Sequence, residues 1–311
     1  MTTDPAADPV ADLENAAWAL AAVIATYRDA AQGSLADALA ADPDRTAVLE
    51  AIGLVERTSD DTVSHAALRP GSAAGNTAAA RLSSLRQAVD VAAGEIPQGW
   101  AAQSDEVLLN QGQASEGTGR ALATRLVPAL PGLADRLASP GSRVLDVGTG
   151  VAGLAIALAR ELPHTHVTAI DVLERALRLA RTELAQAGPP VERVELRRQD
   201  VADLREPDSY DLIWLPAPFL SKEVLNTSLP HLVEAIAPGG WLVVGTNPAP
   251  SGELAAAVAR WNASRNGGST SNADPMASTL RELGLSSVDQ RPTVPGGPIL
   301  VVGQRPRREQ A

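Results

Sequence analysis

The sequence predicts an α/β fold with a doubly wound, mostly parallel sheet, preceded by a mainly helical domain. From about residue 141 of the 311-residue chain onward, short apolar runs alternate with amphipathic segments of helical spacing. A glycine-rich turn at residues 148–153 directly follows the first apolar run. The N-terminal third shows helical spacing and little strand pattern. We therefore expect one large α/β domain and one smaller helical domain.

The N-terminal third is predicted to be a disordered tail followed by a helical domain. Residues 1–11 are mostly Asp, Pro, Ala and Thr and have little to bury, so they predict a tail. Residues 12–95 form the helical domain, in which apolar positions recur at helical spacing from Leu13 to Tyr27. Shorter helices are expected at 35–40, 46–52 and 77–93, with a weak strand near residue 63.

Residues 96–140 are predicted to be a helical connection to the α/β domain. A break at Ile96 to Trp100 is followed by a polar, glycine-containing stretch over 105–115, which predicts a turn, and then by a helix over 118–126. This turn either lines a ligand site or is an ordinary helix–helix connection, and the two interpretations are equally good.

The α/β domain is predicted to span residues 141–305, with a short tail at 306–311. Strands are expected at 142–147, 166–170, 193–198, 210–215, 240–245, 286–291 and 298–304. Helices are expected at 152–162, 173–187, 221–237, 252–265 and 275–284.

The turn after the first strand has the composition of a ligand-binding loop. Gly148 and Gly150 allow a ligand to approach backbone N–H groups at a helix start. A G-x-G-x-x-G pattern alone also fits a tight βα turn without a ligand. Asp146 precedes the loop and would repel the pyrophosphate of a dinucleotide, which argues against a nicotinamide-dependent oxidoreductase. Asp171 ends the second strand, where an acid commonly binds the hydroxyls of a ribose.

On these residues the chain resembles the class I S-adenosylmethionine (SAM)-dependent methyltransferases over roughly residues 141–305. The resemblance extends to the strand from Tyr210 to Leu215 and to two short motifs, one on each side of it. These motifs are Gln199-Asp200-Val201 and Pro238-Gly239-Gly240. It implies a seven-stranded, Rossmann-like sheet whose last strand is antiparallel, SAM as cofactor and S-adenosylhomocysteine as product.

The resemblance also implies roles for individual residues of the cofactor site. The expected cofactor-binding residues are Asp146, Gly148, Thr149, Gly150, Asp171, Val172, Asp200, Val201 and Leu215. Asp146 is expected to orient the amino group, Asp171 the ribose diol, and Asp200 and Val201 the adenine. Each acid has a structural alternative: Asp146 caps the loop, Asp171 caps the next helix, and Asp200 forms an Asx turn.

The methyl acceptor is expected beside the segment after the fourth strand, Leu215 to Phe219. Enzymes of this family that methylate planar nitrogens resemble Asn/Asp-Pro-Pro-aromatic here, whereas this chain has a leucine first. Trp100, Gln113, Pro216 and Phe219 are the candidate pocket residues. No histidine occupies the position where O-methyltransferases of similar arrangement keep a general base, so no catalytic residue is assigned. No metal site is expected either.

The N-terminal domain loosely resembles the winged-helix region of small-molecule O-methyltransferases, in which such a region forms a homodimer. A winged helix can instead bind DNA. Residues 34–57 carry five acids and two arginines, a net charge of −3, which disfavours contact with phosphate.

Composition and charge limit which partners the protein can bind and in which compartment it is expected. The net charge of −11 and the lack of a basic run argue against nucleic acid. No segment is apolar enough to span a membrane, and the N-terminus lacks the pattern of a signal peptide. The absence of cysteine excludes disulfides and thiolate metal sites and fits a cytoplasmic protein.

The sequence therefore predicts a SAM-dependent methyltransferase that acts by proximity and in-line displacement on a small, secondary-metabolite-like acceptor. Two alternatives stay open. One is a SAM-dependent enzyme of different chemistry, such as alkyl transfer or cyclisation. The other is a non-catalytic SAM-binding regulator.

Overall fold

The structure is a computed structural model that describes residues 9–30, 33–57, 63–64, 73–94, 99–248, 252–293 and 298–307. The chain divides into two compact units, residues 1–95 and 96–311. The predicted tail at 1–11 lies partly outside the described residues, and its last three residues are helical. The predicted C-terminal tail is described only at Pro306 and Arg307.

The first unit is a small helical domain with one β-hairpin. Its helices are α1 (Pro9–Ala30), α2 (Leu35–Ala40), α3 (Pro43–Ala51) and α4 (Ala73–Ala92). Ser34 and Asp42 cap α2 and α3, because each side chain accepts the N–H three residues later. Strands β1 (Glu56–Arg57) and β2 (Val63–Ser64) pair antiparallel. Ala22, Leu39, Leu49 and Val55 form the buried core of this unit.

The second unit alternates strands and helices. Its strands are β3 (Ser142–Val147), β4 (Thr165–Asp171), β5 (Val194–Arg198), β6 (Tyr210–Pro216), β7 (Ile236–Gly245), β8 (Ser286–Pro292) and β9 (Ile299–Gln304). Its helices are α5 (Asp105–Ala121), α6 (Val127–Ala129), α7 (Leu133–Leu137), α8 (Gly153–Glu161), α9 (Glu174–Ala187), α10 (Lys222–Ala235), α11 (Glu253–Arg265) and α12 (Ala273–Glu282).

Seven strands form one sheet in the order β5-β4-β3-β6-β7-β9-β8. The first five strands of that order are parallel, and β9 is antiparallel to both β7 and β8. Both faces are covered: Val144 points into a core shared with α8, and Leu145 into a core shared with α10 and α12. The predicted doubly wound, mostly parallel sheet is confirmed.

Two predicted elements are wrong in their bounds. The stretch 105–115 is the first part of helix α5 and not a turn. Ser104 caps this helix by accepting the N–H of Val107. Gly112 is needed inside the helix because the side chain of a larger residue would collide with Val151. Strand β7 starts at Ile236 instead of residue 240, since Ile236 pairs with Tyr210 across a register irregularity.

Candidate active site

The loop between β3 and α8 is a tight turn held by its own polar groups. Gly148 and Gly150 adopt φ angles of 64° and 58°, a conformation that other residues seldom reach. Ala152 adopts φ 65° as well, a strained value for alanine. A Cβ added at Gly150 would meet no atom within 4 Å, so the backbone borders open space here.

Asp146 lies beneath this loop and orders it. Its side chain is 1% exposed, and Oδ2 accepts the hydroxyl of Thr149 at 2.7 Å. Burial raises the pKa of Asp146 to about 7, and repulsion from Asp171 raises it as well. Hydrogen bonds from Thr149 and from the backbone of Ala155 lower the pKa but only in part offset this rise. A carboxyl group so enclosed acts on a ligand through the loop that it orders.

Asp171, at the end of β4, ties two loops together. Oδ2 accepts the N–H of Gly150 at 2.8 Å, and Oδ1 accepts the N–H of Leu173 at 2.8 Å, at the start of α9. Burial raises the pKa of Asp171. Each carboxylate oxygen can accept a second hydrogen bond, so the side chain can hold a diol as well as cap the helix. Val172 next to it is 51% exposed.

Helix α5 lies directly against the loop. A Cβ added at Gly153 would overlap the carbonyl oxygen of Gly112, and one added at Gly119 would lie 2.9 Å from the Cβ of Ala157. The two helices therefore meet backbone to backbone, which only glycine permits at these points. Gln113, a predicted pocket residue, is exposed on α5.

Of the remaining predicted cofactor residues, Asp200 and Val201 follow β5, and Leu215 lies near the end of β6. Asp200 Oδ1 accepts the N–H of Ala202 at 2.9 Å and starts a short turn at Val201. The side chain of Val201 is 5% exposed and belongs to the core on the α10 face of the sheet. Leu215 is fully buried in the same core. For Val201 and Leu215 the groups available to a ligand are therefore in the backbone.

An aromatic pair stands where the acceptor is expected. The rings of Trp100 and Phe219 lie 5.1 Å apart between centroids, at an angle of 49°. Phe219 follows β6 directly in a 3-10 turn and is 39% exposed. Pro216 ends β6 and is buried, with its Cγ 3.8 Å from a Cβ added at Gly148. The structure thus brings Trp100 and Phe219 together, and Pro216 beside the glycine loop.

A loop after α11 closes the same edge of the sheet. Asn247, beyond β7, donates its backbone N–H to the carbonyl of Ser271, and its side-chain Oδ1 accepts the N–H of Ser271. Ser269 donates its hydroxyl to the carbonyl of Leu220 at 3.0 Å. These contacts bring residues 265–271 against the segment that carries Phe219.

No general base is evident among the described residues of this edge. His231 lies on α10 with Nδ1 3.0 Å from Nη1 of Arg205, and His164 and His166 lie before and in β4. His65 lies outside the described residues. No group of three or more His, Cys, Asp or Glu in the described part of the chain could hold a metal ion. No helix in that part is long and apolar enough to cross a membrane.

Three polar residues of this site were missed by the sequence reasoning: Gln103, Arg175 and Asn266. Gln103 Nε2 donates to Asn266 Oδ1 at 3.0 Å, and Arg175 Nη1 donates to the carbonyl of Gln103 at 2.6 Å. The only signal that could have led to them is Ser104-Asp105-Glu106, a helix start with acids in its first turn.

The glycine loop lies within a stretch of the chain that matches a known protein family. Residues 144–240 match the model of a family described as "Methyltransferase domain". Over 114 residues the chain is 37% identical to a release factor glutamine methyltransferase of Rhodopirellula baltica, covering 36% of this chain and 37% of that protein. It is 31% identical over 128 residues to a demethylmenaquinone methyltransferase of Deinococcus radiodurans, covering 41% and 52%. The matches thus span at most about half of these relatives.

Solved structures share the fold over nearly the whole chain. An O-methyltransferase family protein from Burkholderia thailandensis aligns with a TM-score of 0.55 at 19% identity, over 97% of this chain and 96% of that one. PigF with S-adenosylhomocysteine aligns at 0.62 and 18% identity, over 98% and 100%. The mitomycin 7-O-methyltransferase MmcR aligns at 0.60 and 17% identity, over 96% and 97%.

The cofactor of such a domain is SAM, and the residues present fit it. Open space borders Gly150, and the carboxylate oxygens of Asp171 beside it can each accept a further hydrogen bond. The carboxylates of Asp146 and Asp171 suit a ligand that carries an ammonium and a sulfonium and no phosphate.

Proposed function

We propose that this chain, which carries a class I SAM-dependent methyltransferase domain, transfers a methyl group to a small-molecule acceptor. The observation that carries the proposal is the aromatic pair of Trp100 and Phe219 beside the carboxyl end of β6. This pair offers a flat apolar wall for a small acceptor next to the cofactor loop. Structural likeness to a small-molecule O-methyltransferase, which extends over both units, supports the same class of acceptor.

The roles of the chain's residues follow from their positions. Gly148, Thr149 and Gly150 present backbone groups to the methionine and ribose portion, with Asp146 beneath them, and Asp171 takes the ribose diol with Val172 beside it. Asp200 and the N–H of Val201 face the adenine, and the backbone of Leu215 borders the cofactor. The bound cofactor supplies a methyl group activated by its sulfonium. The protein contributes alignment and exclusion of water, so the acceptor must be nucleophilic once desolvated.

A macromolecular acceptor is the second candidate. It is favoured by the 37% identity to a release factor glutamine methyltransferase. Against it stands Leu215, a fully buried apolar residue where resembling enzymes keep an Asn or Asp that accepts the amino hydrogen. The net charge of −11 further disfavours RNA.

The test is a binding measurement followed by a product screen. We expect S-adenosylhomocysteine to bind in titration calorimetry and NAD not to bind. Mass spectrometry of the full-length protein with SAM and candidate acceptors should then show a gain of one methyl group and release of S-adenosylhomocysteine. Release of methylthioadenosine would select alkyl transfer or cyclisation, and methylation of a release-factor glutamine would select the second candidate.

We also propose that the N-terminal domain forms a homodimer. Helix α1 carries large apolar side chains that are exposed: Val10, Leu13 and Trp18 are each about 70% exposed. A second copy would bury them. Light scattering of the full chain should give twice the monomer mass, and Leu13→Glu with Trp18→Glu should halve it. Unchanged mass in that variant would count against the dimer.

A further inference from the structure

Residues 99–105, which we call the strap, connect two sides of the candidate site. At one end, Nη2 of Arg175 pairs with Oδ1 of Asp105 at 2.6 Å. At the other, the N–H of Gly99 donates to the carbonyl of Arg265 at 2.7 Å, and the ring of Trp100 lies on Phe219.

The strand order places the strap over the glycine loop. Arg175 lies in the first turn of α9, just after the carboxyl end of β4, and Phe219 lies just after that of β6. Strand β3 runs between β4 and β6 in the sheet. A segment anchored at both neighbours therefore crosses the end of β3, where Gly148 begins its loop.

Two buried polar atoms of the strap have no hydrogen-bond partner among the described residues: Nε1 of Trp100 and Oε1 of Gln103. Gln103 is fully buried, although its Nε2 is used by Asn266. A buried donor or acceptor left unpaired is unfavourable, and such groups in folded proteins usually find a partner in a ligand or water.

One anchor of the strap is an exposed ion pair. In the Arg175–Asp105 ion pair, the side chain of Arg175 is 37% exposed and that of Asp105 is 57% exposed. Ion pairs of that exposure contribute little to stability. Opening of the strap would expose both unpaired atoms to water.

We propose that Gln103 and Trp100 select the methyl acceptor. The inference rests on the proposed function and names the acceptor's chemistry. The acceptor carries a hydroxyl or amine hydrogen for Oε1 of Gln103 and a lone pair for Nε1 of Trp100, and the strap closes when both are made. A molecule with only one of these groups leaves a buried atom unpaired and is discriminated against.

Opening of the strap can be measured without an acceptor. The chain has no cysteine, so a single introduced thiol reports only its own site. Gln103→Cys is compared with Ser228→Cys, which is equally buried but lies in α10 against the core. We expect Ellman's reagent to label Gln103→Cys at least about 100-fold faster. Equal, slow labelling of both thiols would overturn the proposal, because no acceptor could then reach Gln103.

Selection is measured with a panel of phenols, aromatic amines and aminophenols as acceptor probes. For the best probe, we expect Gln103→Met to lower kcat/KM by about 10- to 100-fold and Trp100→Phe by about tenfold, because each change leaves a polar group of the bound probe without its hydrogen-bond partner. Trp241→Phe is the matched control: its Nε1 is also buried without a described partner, but it lies in the core of the sheet. It should change kcat/KM by less than about twofold.

Two further readouts separate selection from a structural role. Affinity for S-adenosylhomocysteine and the thermal midpoint should stay unchanged in Gln103→Met, and its preference for two-group over one-group probes should disappear. Parallel loss of stability and cofactor affinity would overturn the proposal. So would unchanged kcat/KM in both strap variants of an enzyme that methylates the probe. Failure of the wild-type protein to bind S-adenosylhomocysteine would instead overturn the proposed function.

Discussion

The carboxyl edge of the sheet has two parts, which we call the cofactor edge and the acceptor edge after the ligands that we propose for them, and the two parts satisfy their polar groups differently. At the cofactor edge, after β3, β4 and β5, each acid is paired locally: Asp146 with Thr149, Asp171 with Gly150, and Asp200 with Ala202. At the acceptor edge, after β6 and β7, the wall is aromatic, and the strap that reaches it across the end of β3 holds two buried polar atoms without described partners.

The difference indicates which edge is organised before a ligand arrives. Local pairing fixes the cofactor loops in the free protein, so binding there costs little reorganisation. The strap leaves two buried polar atoms unpaired, so its closed form depends on what it encloses. Changes at the cofactor edge should therefore act on folding and cofactor affinity together, whereas changes at the acceptor edge should act on turnover alone.

The largest effect is expected from Gly153→Ala. The added Cβ overlaps the carbonyl oxygen of Gly112, so α5 must move away from the glycine loop. We expect a loss of about 3 kcal/mol in the free energy of unfolding, at the upper end for overpacking, together with weaker binding of S-adenosylhomocysteine. Urea unfolding and calorimetry measure the two. Gly33→Ala is the control, because its added Cβ would lie 3.8 Å from the nearest atom.

The next effect separates two acids of the cofactor edge. Asp171→Ala removes the acceptor of two backbone N–H groups, and we expect binding of S-adenosylhomocysteine to weaken by about 1–3 kcal/mol. Asp200→Ala removes one exposed cap and should weaken it by less than about 1 kcal/mol. Titration calorimetry on both variants measures the two losses of S-adenosylhomocysteine affinity. A larger loss at Asp200 would mean that adenine contact outweighs loop order.

Local features of the cofactor edge could be predicted from the sequence, and the acceptor edge could not. Strand β3 and the glycine loop follow from an apolar run and residues with left-handed φ, which neighbouring residues determine. Helix α5 was missed because its polar residues resemble a turn, and its glycines serve a contact with α8 about 40 residues away. The contact of Gln103 with Asn266 joins residues 163 positions apart, beyond any local pattern.

The pH dependence tests whether Asp146 acts through its charge. Its pKa of about 7 lies above the ordinary 3.8, so burial of the carboxylate destabilises the fold above pH 7, and this cost disappears as pH falls toward 4. Affinity for S-adenosylhomocysteine should move the opposite way, falling about tenfold from pH 8 to 6 as the carboxylate is protonated. Asp146→Asn should flatten the affinity profile; an unchanged profile would contradict the role of this charge.

The smallest effect is expected from His231→Ala, which tests whether the acceptor edge lacks a histidine base. Helix α10 begins at the carboxyl end of β6 and ends just before β7, so it runs back toward the amino edge of the sheet. His231 is nine residues past its start, about 14 Å away along the helix, and its Nδ1 faces Arg205.

From that position the imidazole cannot reach an acceptor beside Phe219. We therefore expect turnover to stay within about tenfold of wild type, against the 10²–10⁴-fold that a base contributes. Steady-state kinetics with the acceptor found in the product screen measure this, with S-adenosylhomocysteine affinity as the control. A loss of about a thousandfold at unchanged affinity would require α10 to turn His231 toward the site. The comparison would then change, because the acceptor edge would hold a catalytic group and not only a shaped wall.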